Sequence, residues 1–537
     1  GASAGARARR LDEHASIIIF EKGPDPSFAN CGMPYHLGGE IPDRSKLAIQ
    51  TPASLKARLN LEVRCLTEVL SIDRAAKTVK VIEYATKREY TEPYDDLVLS
   101  VGAKAFTPPI PGIERAGNFV LRNLEDMDKI DGWLKSVDAK RVVVAGAGFI
   151  GVAPLNPTPE TQVVLIEAAP QIMAPVDVES GGRLHADMVI LGLGVRAESQ
   201  AALHPTPYTL PRAPDMVILG LGVRTESQLA KDAGLELGPR GGIIVNDNLR
   251  TNDESIWAVG DAIEVKNPTI EGDTWMVAMA GPANRQGRMV ADNLCAAPGT
   301  PLRSYRGTIG TSVLRCCTLT CACTGVNERT LKGRGIPYKA IHLWPASHAG
   351  YYPGGAPMLL KVVFSPDDGR ILGAQAVGKD KVEKRIDVIA TAMHANMTVD
   401  DLAQLELCYA PPFGSAKDPV NLAGMMAQNI RDGMIKTCTW DEAPALIKQE
   451  VVVVLDVRTA GERKLSMVHS DSLHIPVDDL RARLEELPAP EGKTLLIHCE
   501  SGLRSYYACQ VPPPPPTLNP NPWTRVFFEP ETRISKL

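Results

Sequence analysis

Short runs of valine, isoleucine and leucine alternate with longer amphipathic stretches over most of the chain. Such runs are typical of buried parallel strands, and the stretches between them are typical of the helices that cover a parallel sheet. The strands predicted from these runs are Ile17–Glu21, Asp96–Val101, Arg141–Ala145, Gln162–Glu167, Met216–Leu221 and Ser255–Val259. Two nucleotide-binding units can be built from them.

From about Pro301 the pattern changes to longer strands, including Met358–Phe364 and Ile371–Val377. A helix-rich stretch, Lys381–Asp432, follows them, and the combination predicts an α+β domain. After Lys436 a small α/β unit begins, with predicted strands at Val451–Val457 and Thr494–His498.

Three places break the pattern. Gly1 opens directly on a helix of small residues, although the first strand of a doubly wound sheet is central, so we expect a strand before it. The nine residues MVILGLGVR occur twice, at Met188–Arg196 and Met216–Arg224, and we interpret them as two copies of one strand separated by a proline-rich insert. The proline run Val511–Pro522 excludes a helix or a central strand.

Composition narrows the class of protein. The 537 residues predict three or four domains at ~150 residues each, and 44% hydrophobic with 23% charged residues is typical of globular chains. A net charge of −5 does not indicate a basic surface that would bind nucleic acid. No apolar run reaches the ~18 residues that a membrane-spanning helix needs. Eleven irregularly spaced cysteines favour a reducing cytoplasm with one or two reactive thiols.

The first nucleotide unit carries signs of an FAD site. The helix after Gly1 leads to a strand ending at Glu21, where a carboxylate can accept hydrogen bonds from a ribose. Further along, TNDESIWAVGDAIE supplies Gly260 and Asp261 at the end of a strand, where a carboxylate can meet a ribityl or ribose hydroxyl. The alternative for Glu21 is a solvated residue at a strand end.

The second unit carries a nucleotide fingerprint. RVVVAGAGFIG places Gly146, Gly148 and Gly151 directly after a buried strand, as a G-x-G-x-x-G turn requires. Glu167 ends the next strand, sixteen residues after Gly151, and a carboxylate there favours NADH over NADPH. The next segment, VAPLNPTPE, has three prolines within six residues and excludes a normal α-helix.

SFANCGMPY contributes a candidate redox thiol, Cys31, ten residues after Glu21. A thiolate beside a flavin can attack a disulfide. Dithiol flavoenzymes carry a second cysteine five residues on, where this chain has His36, so the partner sulfur must come from the substrate. The alternative is an inert buried cysteine.

Several long motifs resemble the coenzyme A-disulfide reductases, and more closely their branch fused to a rhodanese domain, which includes NADH-dependent persulfide reductases. They are SFANCGMPYHLGGEI, MAGPANRQGR, SHAGYYPGG, GAQAVGKD, KRIDVIA and CYAPPFGSAKDPVN. The resemblance covers about residues 1–180 and 215–510. It implies that Cys31 forms a mixed disulfide with coenzyme A, and that Tyr351 and Tyr409 lie over the substrate sulfur across a homodimer interface.

The same resemblance implies the cofactor and coenzyme contacts. The FAD-binding residues are then Gly1, Glu21, Lys22, Gly260, Asp261 and Ala278. The coenzyme A-binding residues are Arg10, Ser27, Asn30 and Arg58, with Lys56 as an alternative to Arg58. For the two basic residues the competing interpretation is an ordinary solvated surface.

The C-terminal motifs LDVRTAGE and IHCESGLRS resemble rhodanese sulfurtransferases. Cys499 follows a buried strand and opens a six-residue loop whose backbone N–H groups can surround its sulfur. Arg504 adds positive charge, and we expect Asp456 and Arg458 to brace the loop.

These motifs predict an α/β chain with two Rossmann-like nucleotide-binding domains, an α+β dimerisation domain and a rhodanese-like α/β domain. The predicted boundaries are 1–112 with 246–300 for FAD, 113–245 for NAD(H), disturbed at 152–215, then 301–436 for dimerisation and 437–537 for the rhodanese-like domain, incomplete after 510.

Four cysteines near residue 320 raise the question of a metal, but CC-x₃-C-x-C lacks the paired C-x₂-C spacing of zinc sites. We expect Val313, Cys317, Leu319, Cys321 and Cys323 to alternate on one strand face and to pack in a core, and we predict no metal.

The predicted function is an FAD- and coenzyme A-dependent NADH reductase of coenzyme A disulfide, coenzyme A persulfide or polysulfide, with Cys499 carrying sulfane sulfur. One alternative is an NADH oxidase or peroxidase that uses a cysteine sulfenic acid. Another is a sulfurtransferase or sulfur carrier on an inactive flavin scaffold.

Overall fold

The computed structural model describes residues 1–152, 161–169, 171–190, 194–196, 214–438, 442–449, 451–467, 469–488, 493–511 and 524–528. The chain divides into two compact units. The first comprises Gly1–Ala174 and Met188–Gly310, and the second comprises Pro175–Asp187 and Thr311–Leu537.

The first unit contains both predicted nucleotide-binding regions. Its helices are Ala2–Leu11, Met33–Leu37, Pro52–Leu59, Leu124–Ser136, Phe149–Val152, Gln228–Asp232 and Ala280–Leu294, with 3-10 turns at Asn30–Gly32, Arg44–Leu47 and Gly260–Ala262. Its strands are Ile18–Phe20, Ser27–Phe28, Ala48–Gln50, Glu62–Arg64, Thr67–Asp73, Thr78–Glu83, Arg88–Pro93, Leu97–Leu99, Ala103–Ala105, Asn118–Phe119, Arg141–Ala145, Gln162–Ile166, Gly194–Arg196, Met216–Leu219, Val223–Thr225, Ile243–Ile244, Ile256–Ala258, Ile263–Lys266 and Thr274–Trp275.

Five parallel strands form the sheet of the second nucleotide-binding region. Their order is Asn118–Phe119, Met216–Leu219, Arg141–Ala145, Gln162–Ile166 and Gly194–Arg196. The central strand has three consecutive buried valines, because helices and loops cover both faces of a parallel sheet. The predicted strand positions in this sheet are confirmed to within two residues at their ends.

In the first nucleotide-binding region the chain forms parallel pairs. Ile18–Phe20 pairs with Glu62–Arg64, and Leu97–Leu99 pairs with Ile256–Ala258. The helix that begins at Ala2 packs closely against helix Ala280–Leu294 at Gly287. A Cβ added to Gly287 would lie 3.3 Å from the Ala4 nitrogen.

The two copies of MVILGLGVR do not form the same element. Met216–Leu219 is a strand hydrogen-bonded on both sides, whereas Met188–Ile190 ends the helix Val178–Ile190. The prediction that both copies are one repeated strand is therefore wrong for Met188–Ile190, whereas Gly194–Arg196, the end of the first copy, does form a strand. Local propensity is a weak determinant for such a short apolar segment, and the sheet neighbours of the second copy decide its state.

The second unit contains two sheets. Its helices are Val178–Ile190 up to Asp187, Glu328–Arg334, Val382–His394, Val399–Leu402, Pro419–Arg431, Ala443–Ile447, Ala460–Leu465 and Leu503–Cys509, with 3-10 turns at Leu480–Ala482 and Leu484–Glu486. Its strands are Ser312–Cys316, Leu319–Gly325, Lys339–Leu343, Met358–Phe364, Ile371–Gly378, Lys436–Cys438, Val452–Asp456, Leu473–His474, Thr494–His498 and Thr524–Phe528.

The larger sheet is antiparallel and is the predicted α+β domain. Its order is Ser312–Cys316, Leu319–Gly325, Ile371–Gly378, Met358–Phe364 and Lys339–Leu343. The central strands Met358–Phe364 and Ile371–Gly378 are buried at every position, because both faces are covered. Helix Val382–His394 contributes Ile386 and Ile389 to the same core.

The cysteine-rich hairpin differs from its prediction at two residues. Cys317 lies in the turn with a φ of +53°, and Val313 is 54% exposed. Leu314 pairs with Cys321 and Cys316 pairs with Leu319, so these four residues share the buried face. The turn at Cys317 shifts the register of the first strand by one residue, so Leu314 and Cys316 face the core and Val313 faces solvent. Within the described ranges, no group of three or more His, Cys, Asp or Glu side chains is arranged to hold a metal ion.

The smaller sheet is parallel, in the order Lys436–Cys438, Thr524–Phe528, Thr494–His498, Val452–Asp456 and Leu473–His474. The sheet thus includes a strand that follows residue 510, where the sequence pattern predicts an incomplete domain. The insert at 205–213 and most of the proline run Val511–Pro522 lie outside the described residues. In the part of the chain that the structure describes, no helix has the length and apolar character needed to cross a membrane.

Candidate functional site

The predicted FAD contacts begin at a tight turn. Gly260 has a φ of +82°, which only glycine adopts readily, and its N–H donates to Gln286 Oε1 at 2.8 Å. The turn presents Asp261, whose side chain is 26% exposed, and burial raises the pKa of this carboxyl group. A carboxylate with so little water around it gains from accepting a ribityl or ribose hydroxyl. Ala278 is exposed just before helix Ala280–Leu294.

The start of the chain packs closely on its neighbours, since a Cβ added to Gly1 would lie 2.6 Å from Ser100 Oγ. Glu21 follows its strand as predicted, and its Oε1 accepts from the Gly23 N–H at 2.7 Å. Burial raises the pKa of Glu21 as well. Lys22, also predicted to bind the cofactor, forms a surface ion pair with Glu68 at 2.7 Å.

Cys31 is exposed in the 3-10 turn Asn30–Gly32. The loop is fixed from below, because the Ala29 N–H donates to the Leu47 carbonyl at 2.8 Å and a Cβ on Gly32 would lie 2.6 Å from Leu47 Cδ2. His36, in the position of a second redox cysteine, is engaged through Nδ1 with the Ile41 carbonyl at 2.5 Å. The exposed thiol is therefore open to a substrate.

Arg122 is a site residue that the sequence motifs do not reveal. Its guanidinium donates to the Ala103 carbonyl at 2.6 Å and lies 3.9 Å from Asp261 Oδ2. In the amide orientation that satisfies both groups, Asn30 accepts from Arg122 Nη1 at 2.5 Å. The Arg122 charge lowers the pKa of both Glu21 and Asp261, against the larger effect of burial. One arginine thus connects the residue beside Cys31 to the predicted cofactor carboxylates.

The residues predicted to bind coenzyme A are accessible on this unit. Arg10, Asn30 and Arg58 are exposed and Ser27 is half-buried. Lys56, the alternative to Arg58, is engaged with Asn60 Oδ1 at 2.7 Å. Of the two candidates, Arg58 is the one without a side-chain contact among the described interactions.

The three glycines of the second fingerprint have distinct steric roles. A Cβ on Gly146, where φ is +100°, would lie 2.5 Å from the Gly220 carbonyl, and a Cβ on Gly151 would lie 1.8 Å from the Gly146 carbonyl. Gly148 faces open space, with no atom within 4 Å of an added Cβ. The turn is therefore as compact as a pyrophosphate cradle requires, with room for a ligand at its middle glycine.

Glu167 lies beside this turn. Its Oε2 accepts from the Ala147 N–H at 2.7 Å and its Oε1 accepts from the Ala169 N–H at 2.8 Å. The carboxylate is thus fixed at the end of its strand and directed toward the glycine turn. The helix after the turn has four residues, Phe149–Val152, and the proline segment at 153–160 lies outside the described residues.

In the second unit, the structure brings the two predicted tyrosines together. Tyr351 and Tyr409 lie 58 residues apart in sequence, and their hydroxyl oxygens are 3.2 Å apart. Both rings are exposed, Tyr351 by 77%. The hydrogen bond with Tyr409 raises the pKa of Tyr351. The two phenols can therefore donate a proton or a hydrogen bond to a molecule at this surface.

A buried ion pair positions the two tyrosine loops, and the sequence motifs do not reveal it as such. Arg385 is fully buried, and its Nη2 donates to the Ser347 carbonyl at 2.9 Å and to Asp418 Oδ2 at 3.2 Å. The Ala349 N–H donates to the Gly414 carbonyl at 3.0 Å, which links the loops directly. The contacts explain how loops distant in sequence present adjacent phenols.

Cys499 lies in a cradle at the end of strand Thr494–His498. Its sulfur accepts from the Gly502 N–H at 3.0 Å and from Ser505 Oγ at 3.1 Å. Cys499 is 8% exposed, and Ser505 is fully buried. Donors that converge on one sulfur stabilise a thiolate or a persulfide, as the loop sequence predicts.

The predicted brace of this loop is a buried charge network. Arg458 donates through Nη2 to Asp456 Oδ2 at 2.8 Å, and both side chains are at most 1% exposed. Burial by itself would raise the pKa of Asp456, but the hydrogen bonds from Arg458 and the charge of His498 hold it below its usual value. Burial lowers the pKa of His498 to about 4, although Asp456 opposes the shift.

Arg504, predicted to lend charge to Cys499, interacts with that residue and is also paired with a carboxylate. It donates to both carboxylate oxygens of Glu462, at 2.7 and 2.6 Å, and this hydrogen bond lowers the pKa of Glu462 to about 2. Glu462 also closes the capping box of helix Ala460–Leu465 with Thr459. Sequence spacing reveals the capping box, but the arginine lies 42 residues away.

Comparisons with known proteins agree with this arrangement. The family model for pyridine nucleotide-disulphide oxidoreductases matches residues 1–281, and the model for the dimerisation domain of that family matches residues 313–419. A coenzyme A disulfide reductase of Staphylococcus aureus is 33% identical over 463 residues, which covers 80% of this chain and 97% of that relative.

Two solved structures extend over the C-terminal region as well. The reduced CoADR-RHD of Bacillus anthracis has a TM-score of 0.89 and 43% identity, and covers 95% of this chain and 92% of its own. An NAD-dependent persulfide reductase from A. fulgidus has a TM-score of 0.87 and 32% identity, and covers 99% of this chain and 97% of its own.

These findings confirm the resemblance and the fold class predicted from the motifs. The matched regions include both nucleotide-binding regions, the antiparallel domain and the Cys499 module. The chain belongs to the pyridine nucleotide-disulphide oxidoreductase family of enzymes.

Proposed function

We propose that the chain uses NADH to reduce coenzyme A disulfide, coenzyme A persulfide or polysulfide through Cys31, and that Cys499 relays sulfane sulfur. The observation that carries the proposal is the exposed Cys31 thiol in a loop fixed by Leu47, with His36 where a dithiol enzyme has its second cysteine. Because no cysteine occupies that position, the sulfur that pairs with Cys31 comes from the substrate.

Family membership implies FAD and a nicotinamide nucleotide as cofactors, and the residues present fit both. Gly146 and Gly151 leave no room for a Cβ while Gly148 faces open space, as a pyrophosphate requires. Asp261 and Glu21 are partly desolvated carboxylates that suit sugar hydroxyls. FAD, when bound, conducts two electrons from the nicotinamide to sulfur. We assign Glu167 to the free ribose hydroxyls of NADH.

At Cys31 the proposed chemistry is thiol–disulfide exchange. The thiolate attacks one sulfur of the substrate, the substrate S–S bond breaks, and the second sulfur leaves as a thiolate while Cys31 holds a mixed disulfide. Two electrons then restore the Cys31 thiolate and release the second thiol. Arg122, through Asn30, keeps the loop in place during both steps.

We propose a homodimer in which Tyr351 and Tyr409 act across the interface. The matched dimerisation domain supports this, as does an exposed aromatic surface that includes Tyr352 and Phe413. Each phenol can protonate a departing thiolate or hold a persulfide. Their mutual hydrogen bond, and the buried Arg385 and Asp418 beneath them, fix the donor geometry.

Coenzyme A is the proposed carrier of the substrate sulfur. Arg10 and Arg58 provide charge for its phosphates, while Ser27 and Asn30 provide hydrogen bonds near Cys31. The Cys499 cradle then accepts or returns sulfane sulfur as a persulfide. We assign these roles to the four predicted domains, 1–112 with 246–300, 113–245, 301–436 and 437–537, in a reducing cytoplasm.

The test is stopped-flow spectroscopy of the FAD-loaded protein with NADH followed by coenzyme A persulfide. We expect Cys31→Ser to keep flavin reduction by NADH but to lose reoxidation by the persulfide by more than about a thousandfold. Cys295→Ser, which removes another exposed thiol of the same unit, should leave both phases unchanged.

Persulfide reoxidation of Cys31→Ser at the wild-type rate would overturn the proposal. Rapid turnover of hydrogen peroxide, combined with slow persulfide turnover, would instead support a peroxidase in which Cys31 cycles through sulfenic acid. A purified protein that takes up no flavin would favour a sulfur carrier on an inactive scaffold.

A further inference from the structure

Among the described side chains, three arginines lie around Cys499, and each is paired with a carboxylate. Arg504 pairs with Glu462 at 2.6 Å. Arg458 pairs with Asp456 at 2.8 Å and approaches Glu500 at 3.7 Å. Arg463, the third arginine, lies 3.5 Å from Asp456. The three positive charges face three negative ones, so the walls of the cradle carry no net charge.

Two neutral groups donate to the sulfur, and Arg504, the one guanidinium that interacts with it, is bound to both carboxylate oxygens of Glu462. Gly502 contributes a backbone N–H and Ser505 a hydroxyl. His498, next to Cys499, is uncharged at neutral pH because burial lowers its pKa to about 4. Such dipoles stabilise a sulfur with one negative charge, whereas a second charge on the ligand would meet, among the described side chains, only arginines that are already paired with carboxylates.

We propose that the Cys499 site takes sulfane sulfur from thiol persulfides with a single negative charge and discriminates against dianionic donors such as thiosulfate, and that Glu462 and Glu500 set this specificity. The inference rests on the proposed relay function of Cys499. Glu462 neutralises Arg504, which would otherwise attract a doubly charged donor, and Glu500 adds a negative charge near Arg458, the partner of Asp456. Each also repels a dianion at short range.

The reaction balances with either donor, so charge rather than chemistry decides between them. With a persulfide, the Cys499 thiolate attacks the outer sulfur, the S–S bond of the donor breaks, and a thiolate leaves while Cys499 holds the persulfide. With thiosulfate the same attack releases sulfite. In the second case a dianion enters the cradle and a dianion leaves it.

Glu462 and Glu500 permit conservative variants. Glu462→Gln keeps the capping box with Thr459, because glutamine serves there as well as glutamate, and it keeps an oxygen for Arg504. Glu500 is exposed on the loop, and Glu500→Gln leaves Arg458 its ion pair with Asp456. Glu485→Gln is the matched control, since it removes an exposed carboxylate of the same module outside the cradle.

The experiment measures sulfur loading of Cys499 in the full-length, FAD-loaded protein by peptide-resolved mass spectrometry. The donors are thiosulfate and the persulfide of 2-mercaptoethanol, each in excess. For the wild type we expect loading by the persulfide to be at least about tenfold faster. Glu462→Gln with Glu500→Gln should raise the thiosulfate rate about tenfold, as the loss of two partly exposed charges predicts, and change the persulfide rate by less than about twofold. Glu485→Gln should change neither.

Equal wild-type rates with the two donors, or an unchanged thiosulfate rate in the double variant, would overturn this specificity while the relay function stands. Loading of Cys499 by neither donor would overturn the relay function itself, and the specificity with it. A double variant that folds poorly would be recognised by a reduced persulfide rate. Glu500→Gln alone then decides, and it should still raise the thiosulfate rate about threefold.

Discussion

Cys31 and Cys499 are both free thiols at the start of short turns, but their surroundings differ in nearly every respect. Cys31 is exposed, and the loop below it is fixed by backbone contacts to Leu47. Cys499 is 8% exposed and its sulfur accepts two hydrogen bonds. An exposed thiol admits a large substrate such as a coenzyme A derivative. An enclosed, hydrogen-bonded sulfur holds a small charged group and keeps it from water.

The supports of the two loops differ as well. The charged residue that contacts the Cys31 loop is Arg122, whose side chain is partly exposed. The Cys499 loop rests on Asp456 and Arg458, both almost completely buried. Breaking a buried ion pair leaves an uncompensated buried charge, whereas exposed ion pairs contribute little to the free energy of folding. The two sites should therefore respond very differently to the loss of a single charge.

The largest expected effect is that of Asp456→Ala. Removal of this carboxylate leaves Arg458 buried without its partner and should lower the free energy of unfolding of the C-terminal module by about 3–5 kcal/mol. Urea denaturation followed by circular dichroism measures the change. The exposed Asp471→Ala should change stability by less than about 0.5 kcal/mol. Equal stabilities of the two variants would show that the charge network does not support the loop.

Acidification should lower the free energy of unfolding of the module that contains Cys499. His498 binds a proton with a pKa of about 4 in the folded chain, against 6.5 for an ordinary histidine. Between these values the unfolded chain binds more protons, so the free energy of unfolding falls as the pH falls from 6.5 to 4, by up to about 3 kcal/mol. Above pH 6.5 this contribution is constant.

Thermal unfolding of the wild type and His498→Gln across this pH range provides the check. The variant should show a shallower slope, even if its stability at neutral pH is lower. Identical slopes in the two proteins would assign the acid sensitivity to another group.

A smaller effect is expected from Ser505→Ala. The hydroxyl donates to the Cys499 sulfur, and hydrogen bonds to charged acceptors contribute ~1.5–3 kcal/mol. We therefore expect the Cys499 persulfide to decay about tenfold faster, as measured by its release of sulfide in the presence of a thiol. Ser501→Ala, at an exposed position of the same loop, is the control, and Ser505→Thr should restore the lifetime. Unchanged decay in Ser505→Ala would remove Ser505 from the cradle.

The smallest expected effect lies at the Cys31 site. Arg58→Ala removes an exposed charge proposed to contact coenzyme A phosphates, and should raise the KM for coenzyme A disulfide about two- to fivefold at low salt. The difference from the wild type should shrink at high ionic strength. Lys231→Ala removes another exposed charge of the first unit and should leave KM unchanged. An effect independent of salt would contradict an electrostatic role for Arg58.

The sequence predicts the framework of both sites because their residues lie close together along the chain. The glycines of the turn at 146–151 follow directly after a strand, and the Cys499 loop is six consecutive residues. Apolar runs also predict two or three interior strands in each of the three main sheets. Such signals depend on local spacing, which a single sequence displays directly.

The missed residues act through contacts between distant segments. Asn30 and Arg122 are 92 residues apart, and Glu462 and Arg504 are 42 residues apart. No local pattern indicates that one charge in such a pair neutralises the other. The wrong predictions, Val313 and Cys317 as core residues and Met188–Ile190 as part of a strand, have the same origin. In both cases the structure of the segment is determined by the segments that pack against it in the fold and not by its own residue pattern.

The central claim is that Cys31 reduces the S–S bond of the substrate through a mixed disulfide, while Cys499 holds sulfane sulfur as a persulfide. The most direct measurement is a single exposure of the FAD-loaded protein, with its thiols reduced and NADH absent, to coenzyme A disulfide, quenched with acid and mapped by peptide mass spectrometry. We expect the coenzyme A mixed disulfide on Cys31 alone, with the adduct absent in Cys31→Ser and retained in Cys499→Ser. A coenzyme A adduct on Cys499, or an undiminished turnover without Cys31, would contradict the account.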